Sequence, residues 1–179
     1  MMTKNNTILH IIDVKERIFD VMHNKEFLKE NMVRFLKGIQ ILNIPVIWIE
    51  QYPKGLGHTI PELSELMPDQ QPLEKMCFSS CNQPDFLNEM KSTGKNTVLV
   101  MGIETHVCIY QTVKGLLARG FEVEVVADAV SSRTEKNYEL GLRKMESIGA
   151  KLTSVEMALF ELLKESGTDE FKQISRLVK

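Results

Sequence analysis

The segment TILHIIDV at residues 7–14 is apolar almost throughout, rich in β-branched side chains, and carries an aspartate, Asp13, next to its end. A strand with one wet face alternates apolar and polar residues. A run without that alternation suits a strand covered on both faces, as strands of a parallel sheet are. NIPVIWIE (43–50), NTVLVM (96–101) and FEVEVVADAV (121–130) read the same way, with Pro45 at a strand entrance where a missing N–H does little harm. AKLTS (150–154) is a short final strand. Helical spacing separates these runs. It predicts helices from His23 to Leu42, with Phe27, Met32, Phe35, Leu36 and Ile39 as the apolar stripe, near Pro84–Ser92, and from Thr105 to Arg119 with Gly120 as the stop. RTEKNYELGLRKMESIGA, residues 155–164 and residues 169–177 supply the rest. The β-α alternation predicts an α/β fold, a mostly parallel sheet with helices on both faces, in a single domain spanning 1–179.

Residues 51–72 are rich in Pro, Gly and polar groups and read as a long loop with a short turn at 60–67. In open parallel sheets ligands gather beyond the carboxyl ends of the strands. Asp13, the Glu50-Gln51 pair and the GIET turn (102–105) all fall at such ends.

The net charge of −2 gives no electrostatic reason to expect nucleic acid or an anionic membrane as partner. No apolar run approaches the ~20 residues of a spanning helix, and the first residues carry no apolar h-region of a signal peptide. Three cysteines without framework spacing suit a reducing, cytoplasmic setting.

Cys108 stands at the first turn of the helix after NTVLVM. With Thr105 as N-cap it occupies about the third helical position, where free N–H groups and the helix dipole favour an anion. A thiolate there is the reactive form of cysteine, and the same N–H groups can receive a tetrahedral oxyanion. The competing reading is an inert core cysteine. A nucleophile needs a base, and no histidine offers itself. His106 lies roughly 200° around the helix from Cys108, His10 sits inside a strand as a core histidine, His23 reads as a surface residue, and His58 belongs to the long loop. Asp13 and Lys75 are the remaining candidates: a carboxylate to take the thiol proton, and an ammonium to steady it. Taken singly, each reads as a turn aspartate and a surface lysine.

ILHIIDV, LEKMCFSS and VLVMGIETHVCIYQTVKGLLARGFEVEVVADAVSSR together resemble the isochorismatase-like cysteine hydrolases, a superfamily that includes nicotinamidases and N-carbamoylsarcosine amidases. EQYPKGLG and GIETHVC resemble its isochorismatase-domain-containing subgroup. The resemblance runs over roughly residues 6–163 and implies a three-layer α/β/α fold with about six strands. It further implies Asp13 as general base, Lys75 as charge-stabilising partner and Cys108 as nucleophile. A cis peptide at Ile103–Glu104, an oxyanion hole from the backbone N–H groups of Glu104 and Cys108, and a homo-oligomer follow in the same way. Metal-binding members use an Asp-x-His pair and a further histidine before the lysine. Here that region holds only His58, so no metal and no cofactor are expected.

The function expected is hydrolysis of a small amide-type C–N bond through a thioester, on a small-molecule substrate. The alternatives are a catalytically silent oligomeric module that binds a metabolite or protein, and a thiol redox sensor pairing Cys108 with Cys77 or Cys81. Gln51 is a possible substrate contact, Cys81 lies near enough in sequence to Lys75 to approach the pocket, the Glu104 side chain is expected to face solvent, and Asp128 reads as a turn or capping residue.

Overall fold

The computed structural model describes all residues from Met1 to Lys179. Strands β1 (Thr7–Ile12), β2 (Val46–Gln51), β3 (Leu73–Lys75), β4 (Thr97–Ile103), β5 (Glu122–Ser131) and β6 (Lys151–Thr153) form one sheet in the order β3-β2-β1-β4-β5-β6. Every neighbouring pair is parallel. The helices are α1 (Glu16–Phe19), α2 (Lys25–Ile41), α3 (Pro53–Leu56), α4 (Pro61–Ser64), α5 (Pro84–Thr93), α6 (Tyr110–Leu117), α7 (Glu135–Ser147), α8 (Val155–Leu163) and α9 (Asp169–Leu177). None is long and apolar enough to cross a membrane. The chain winds outward from β1 to β3, returns, and winds outward again from β4 to β6. The reversal falls between β1 and β4, the place where open α/β sheets leave a crevice.

β1 shows why its run lacks polar alternation. Leu9 and Ile11 face a layer with Met32, Phe35 and Ile39 of α2 and Leu159 and Leu162 of α8. Ile8 and Ile12 face the opposite layer, with Phe86 and Met90 of α5, Val113 and Leu116 of α6 and Met145 of α7. Both faces are dry, so both must be apolar.

The sequence reading differs from the structure in several places, the unexpected one-turn α1 among them. β3 was not expected. α2 begins at Lys25, and Phe27 is half exposed, not part of the stripe. At about 100° per residue only one of the adjacent pair Phe27 and Leu28 can face the sheet, and Leu28 does. The 51–72 loop contains the one-turn helices α3 and α4.

Gly102 lets the central strands meet. Its φ is +140°, and a Cβ there would stand 2.1 Å from the Ile12 carbonyl oxygen, so no other residue fits beside β1 at this level.

His10 is fully buried and stacks on Phe86 at 4.4 Å. Its Nδ1 lies 3.1 Å from the Ile47 carbonyl and its Nε2 lies 2.9 Å from Ser80 Oγ. A carbonyl only accepts, so Nδ1 carries the proton and Nε2 accepts from the serine hydroxyl. Burial drives the imidazole from its usual 6.5 down to about 3. It is therefore neutral in the fold but protonates in the unfolded chain below pH 6.5. Between those two values the unfolded state binds more protons, and stability falls with falling pH by up to about 1.4 kcal/mol per unit. Urea denaturation at pH 7 and pH 4.5 is expected to show about 2–3 kcal/mol less acid loss in His10→Gln than in the unaltered protein. Equal acid losses would show that His10 does not carry the effect.

Candidate active site

Three chain reversals at the carboxyl end of the sheet supply the site. β1 ends at Ile12, and Asp13 follows in a left-handed conformation, φ 57°, which aspartate tolerates better than most residues. Its N–H still donates to the Ile49 carbonyl at 3.0 Å, so the turn stays fastened to β2. Lys75 closes β3 opposite Gln51 of β2. Cys108 lies in a wide turn, Thr105–Ile109, that joins β4 to α6.

These turns bring the expected residues together. Lys75 Nζ donates to Asp13 Oδ2 at 2.6 Å, to the Phe78 carbonyl at 3.0 Å and to the Cys77 carbonyl at 3.1 Å. All three ammonium protons are used, and both side chains of the ion pair are buried. Asp13 Oδ1 is buried without a hydrogen-bond partner, and the negative charge of the carboxylate acts on the Cys108 thiol. On its other side the sulfur lies 3.6 Å from Gln51 Oε1 and can donate its proton there.

The electrostatics correct one expectation. Cys108 is not a ready thiolate: burial and the Asp13 charge push its thiol up to about 12, against the opposing pull of Lys75 and Lys15. Nor is Thr105 the helix cap. Glu104 holds that place with extended backbone, and its carbonyl accepts the N–H groups of Val107 at 3.0 Å and Ile109 at 3.2 Å, on either side of Cys108. The bond between Ile103 and Glu104 is cis. The Glu104 side chain does not face solvent as expected. It is mostly buried and accepts from Arg133, at 3.1 Å from Nε and 3.2 Å from the backbone N–H.

The cavity above the sulfur is about 210 Å³, small beside the ~300–1,000 Å³ of sites for drug-sized ligands. Asp13, Gln51, Glu104 and Cys108 line it together with apolar Ile18, Leu56, Phe78, Ile103 and Val107. Lys15 also lines it and was missed in the sequence. It is fully buried, and its Nζ donates to the Gln51 carbonyl at 2.6 Å.

The other candidates go elsewhere. Cys81 does not reach the pocket. It packs in the α5–α6 layer and its thiol lies 3.7 Å from the Thr112 carbonyl. All three cysteines are free. His106 bonds Ser132 Oγ at 3.0 Å, and exposed His58 lies 3.1 Å from Glu50 Oε2. No three His, Cys, Asp or Glu side chains are grouped to hold a metal ion. Asp128 caps a helix, accepting the Val155 N–H at 2.8 Å.

A family model described as the isochorismatase domain matches residues 7–157. The chain is 36% identical over 180 residues to the secreted isochorismatase effector Isc1 of Phytophthora sojae, covering 98% of this chain and 85% of that one. It is 35% identical over 175 residues to isochorismatase domain-containing protein 2 of Bos taurus, covering 97% and 83%. A solved structure described as the MAR1 ribonuclease from Caenorhabditis elegans shares the fold with a TM-score of 0.92 and 36% identity, over 99% of this chain and 91% of that one.

Proposed function

The chain belongs to the isochorismatase family, and from that premise we propose that it is a cofactor-free cysteine hydrolase of small amide-type C–N bonds. The observation that carries this reading is the meeting of Asp13, Lys75 and Cys108, with the lysine held by two backbone carbonyls and paired to the carboxylate. The sulfur rests as a thiol, so the nucleophile is made as it is used. Asp13 takes the S–H proton while sulfur bonds the amide carbon, and the carbonyl electron pair moves to oxygen. The Glu104 and Cys108 N–H groups receive that oxyanion. Its collapse breaks the C–N bond, and Asp13 returns the proton to the departing nitrogen. Water, deprotonated by Asp13, then attacks the thioester and releases the acid, and the sulfur recovers its proton. Gln51 orients the thiol and touches the substrate. The protein works in the cytoplasm as a homo-oligomer, in which exposed Tyr52, Met76 and Phe78 are covered.

The ribonuclease name belongs to the Caenorhabditis elegans structure. A net charge of −2 and a small cavity with apolar walls favour a small molecule over a polynucleotide here.

The test separates thiol reactivity from turnover. Asp13→Asn removes the negative charge that keeps the thiol protonated and leaves both lysines in place. The variant therefore holds more thiolate than the parent. Iodoacetamide is expected to alkylate Cys108 at least about tenfold faster in Asp13→Asn at pH 7.5, as read by mass spectrometry with Cys77 and Cys81 as internal references. Amide turnover is lost in the same variant. A folded Asp13→Asn with an unchanged or slower Cys108 would remove the Asp–Cys couple and leave a binding module.

A further inference from the structure

Lys15 has no assigned role, and its surroundings are unusual for a lysine. It is among the largest fully buried side chains of the protein. A buried ammonium normally has a carboxylate within reach, since an isolated one is costly. Lys15 has none in bonding contact: its Nζ makes one hydrogen bond, to the Gln51 carbonyl at 2.6 Å, and two of its three donors remain.

The backbone around it is closed on every side. Lys15 N–H donates to the Asp13 carbonyl at 2.8 Å, and the residue pairs with Thr59 in an isolated antiparallel bridge. The side chain is thus aimed into the catalytic cavity from the turn that carries Asp13. Gln51, whose carbonyl it holds, is the residue whose side chain meets the Cys108 sulfur at 3.6 Å.

Four titratable groups face Lys15: Asp13 after β1, Lys75 of β3, Glu50 of β2 and Cys108 before α6. Asp13 and Lys75 cancel each other as a pair. The Glu50 carboxylate is engaged by the Thr59 N–H at 2.7 Å, by the Thr59 hydroxyl at 2.8 Å and by His58. Glu104, across the cavity, is paired with Arg133. When Cys108 gives its proton to Asp13, Lys75 stays held by the Cys77 and Phe78 carbonyls, whereas Lys15 is the neighbouring cation with donors still free to turn toward the sulfur.

We propose that Lys15 is a positioning residue for the nucleophile: held on the Gln51 carbonyl, it fixes the Gln51 side chain against the sulfur and supplies the positive charge that balances the thiolate. The assignment rests on the cysteine-hydrolase reading and adds to it a second cation with a duty different from that of Lys75. Lys75 orients the base, and Lys15 serves the sulfur. The electrostatic influence of Lys15 on Cys108 already acts in the direction of thiolate.

The test uses the full chain in the Asp13→Asn background, where the sulfur titrates without sharing its proton. Two further variants are compared there. Lys15→Met removes both charge and donor, whereas Lys15→Gln removes the charge but keeps a donor for the Gln51 carbonyl. The pH midpoint of Cys108 alkylation by iodoacetamide is expected to rise by about one unit or more in both, which is about a tenfold slower reaction at pH 7.5. Cys77 is expected to keep its rate. A still larger slowing in Lys15→Met than in Lys15→Gln reads out the hold on Gln51. If Lys15→Met does not fold, Lys15→Gln decides alone. An unmoved midpoint in a folded variant overturns the proposal, while a fast Cys108 in Asp13→Asn itself leaves the hydrolase reading standing. An inert Cys108 in Asp13→Asn overturns both.

Discussion

Cys108→Ala is expected to lower turnover of small primary amides, followed by ammonia release, by about 10⁴-fold or more, with the fold intact. The sulfur is buried at the floor of the cavity, at the edge of the apolar layer to which Cys108 belongs. Removing one atom there costs about 1 kcal/mol, a small part of the ~5–15 kcal/mol that holds such a protein together. Every covalent step of the proposed reaction passes through that atom, however, and no second thiol and no hydroxyl lines the cavity. In the unaltered protein, rapid quenching during turnover is expected to show an added acyl mass on the peptide carrying Cys108. A variant that kept more than about a hundredth of the parent rate would exclude covalent catalysis by this sulfur.

Lys75→Met is expected to destabilise the fold by about 3–5 kcal/mol, the range found when one partner of a buried ion pair is removed. The methionine fills much the same space, so the loss comes from the Asp13 carboxylate left buried without its counter-ion. The orphaned carbonyls of Cys77 and Phe78 add to it. Adding Asp13→Asn should restore a large part of that stability, because the double variant buries no unpaired charge. Activity is lost in all three variants, since the base or its orientation is missing from each. Urea denaturation of the four proteins closes the cycle. If Lys75→Met lies within about 1 kcal/mol of the parent, the pair behaves like an exposed one and contributes little to the fold.

The sequence made the site's two ends legible for a physical reason. Asp13 interrupts an apolar strand, and a lone charge in such a place needs an explanation. Cys108 follows a buried strand directly and precedes a clear amphipathic helix. Both signals are local. What escaped depended on distant chain. β3 is three residues long, too short for any periodicity, and exists because β2 offers a free edge. Lys15, in DVKERIF, looks like the first solvated residue of a helix, and only its pairing with Thr59, far along the chain, buries it. Glu104 was misread because its partner Arg133 comes from the turn before α7. The lowered thiol pKa expected from a helix start failed for a related reason. The helix effect is a fraction of a charge at best, whereas burial and the neighbouring Asp13 charge dominate at the sulfur.

β3 sits at the rim of the sheet, three residues pairing with β2 alone. Its last residue, Lys75, reaches inward to Asp13 at the sheet's centre. The bond that would ready the proposed base is therefore also a rivet for the outermost strand. A descendant of this chain that abandoned hydrolysis would not be free to drift at positions 13 and 75, because the rim would come loose with the chemistry. An intact Asp–Lys pair in such a chain testifies to architecture first, and the sulfur opposite is the better witness to activity.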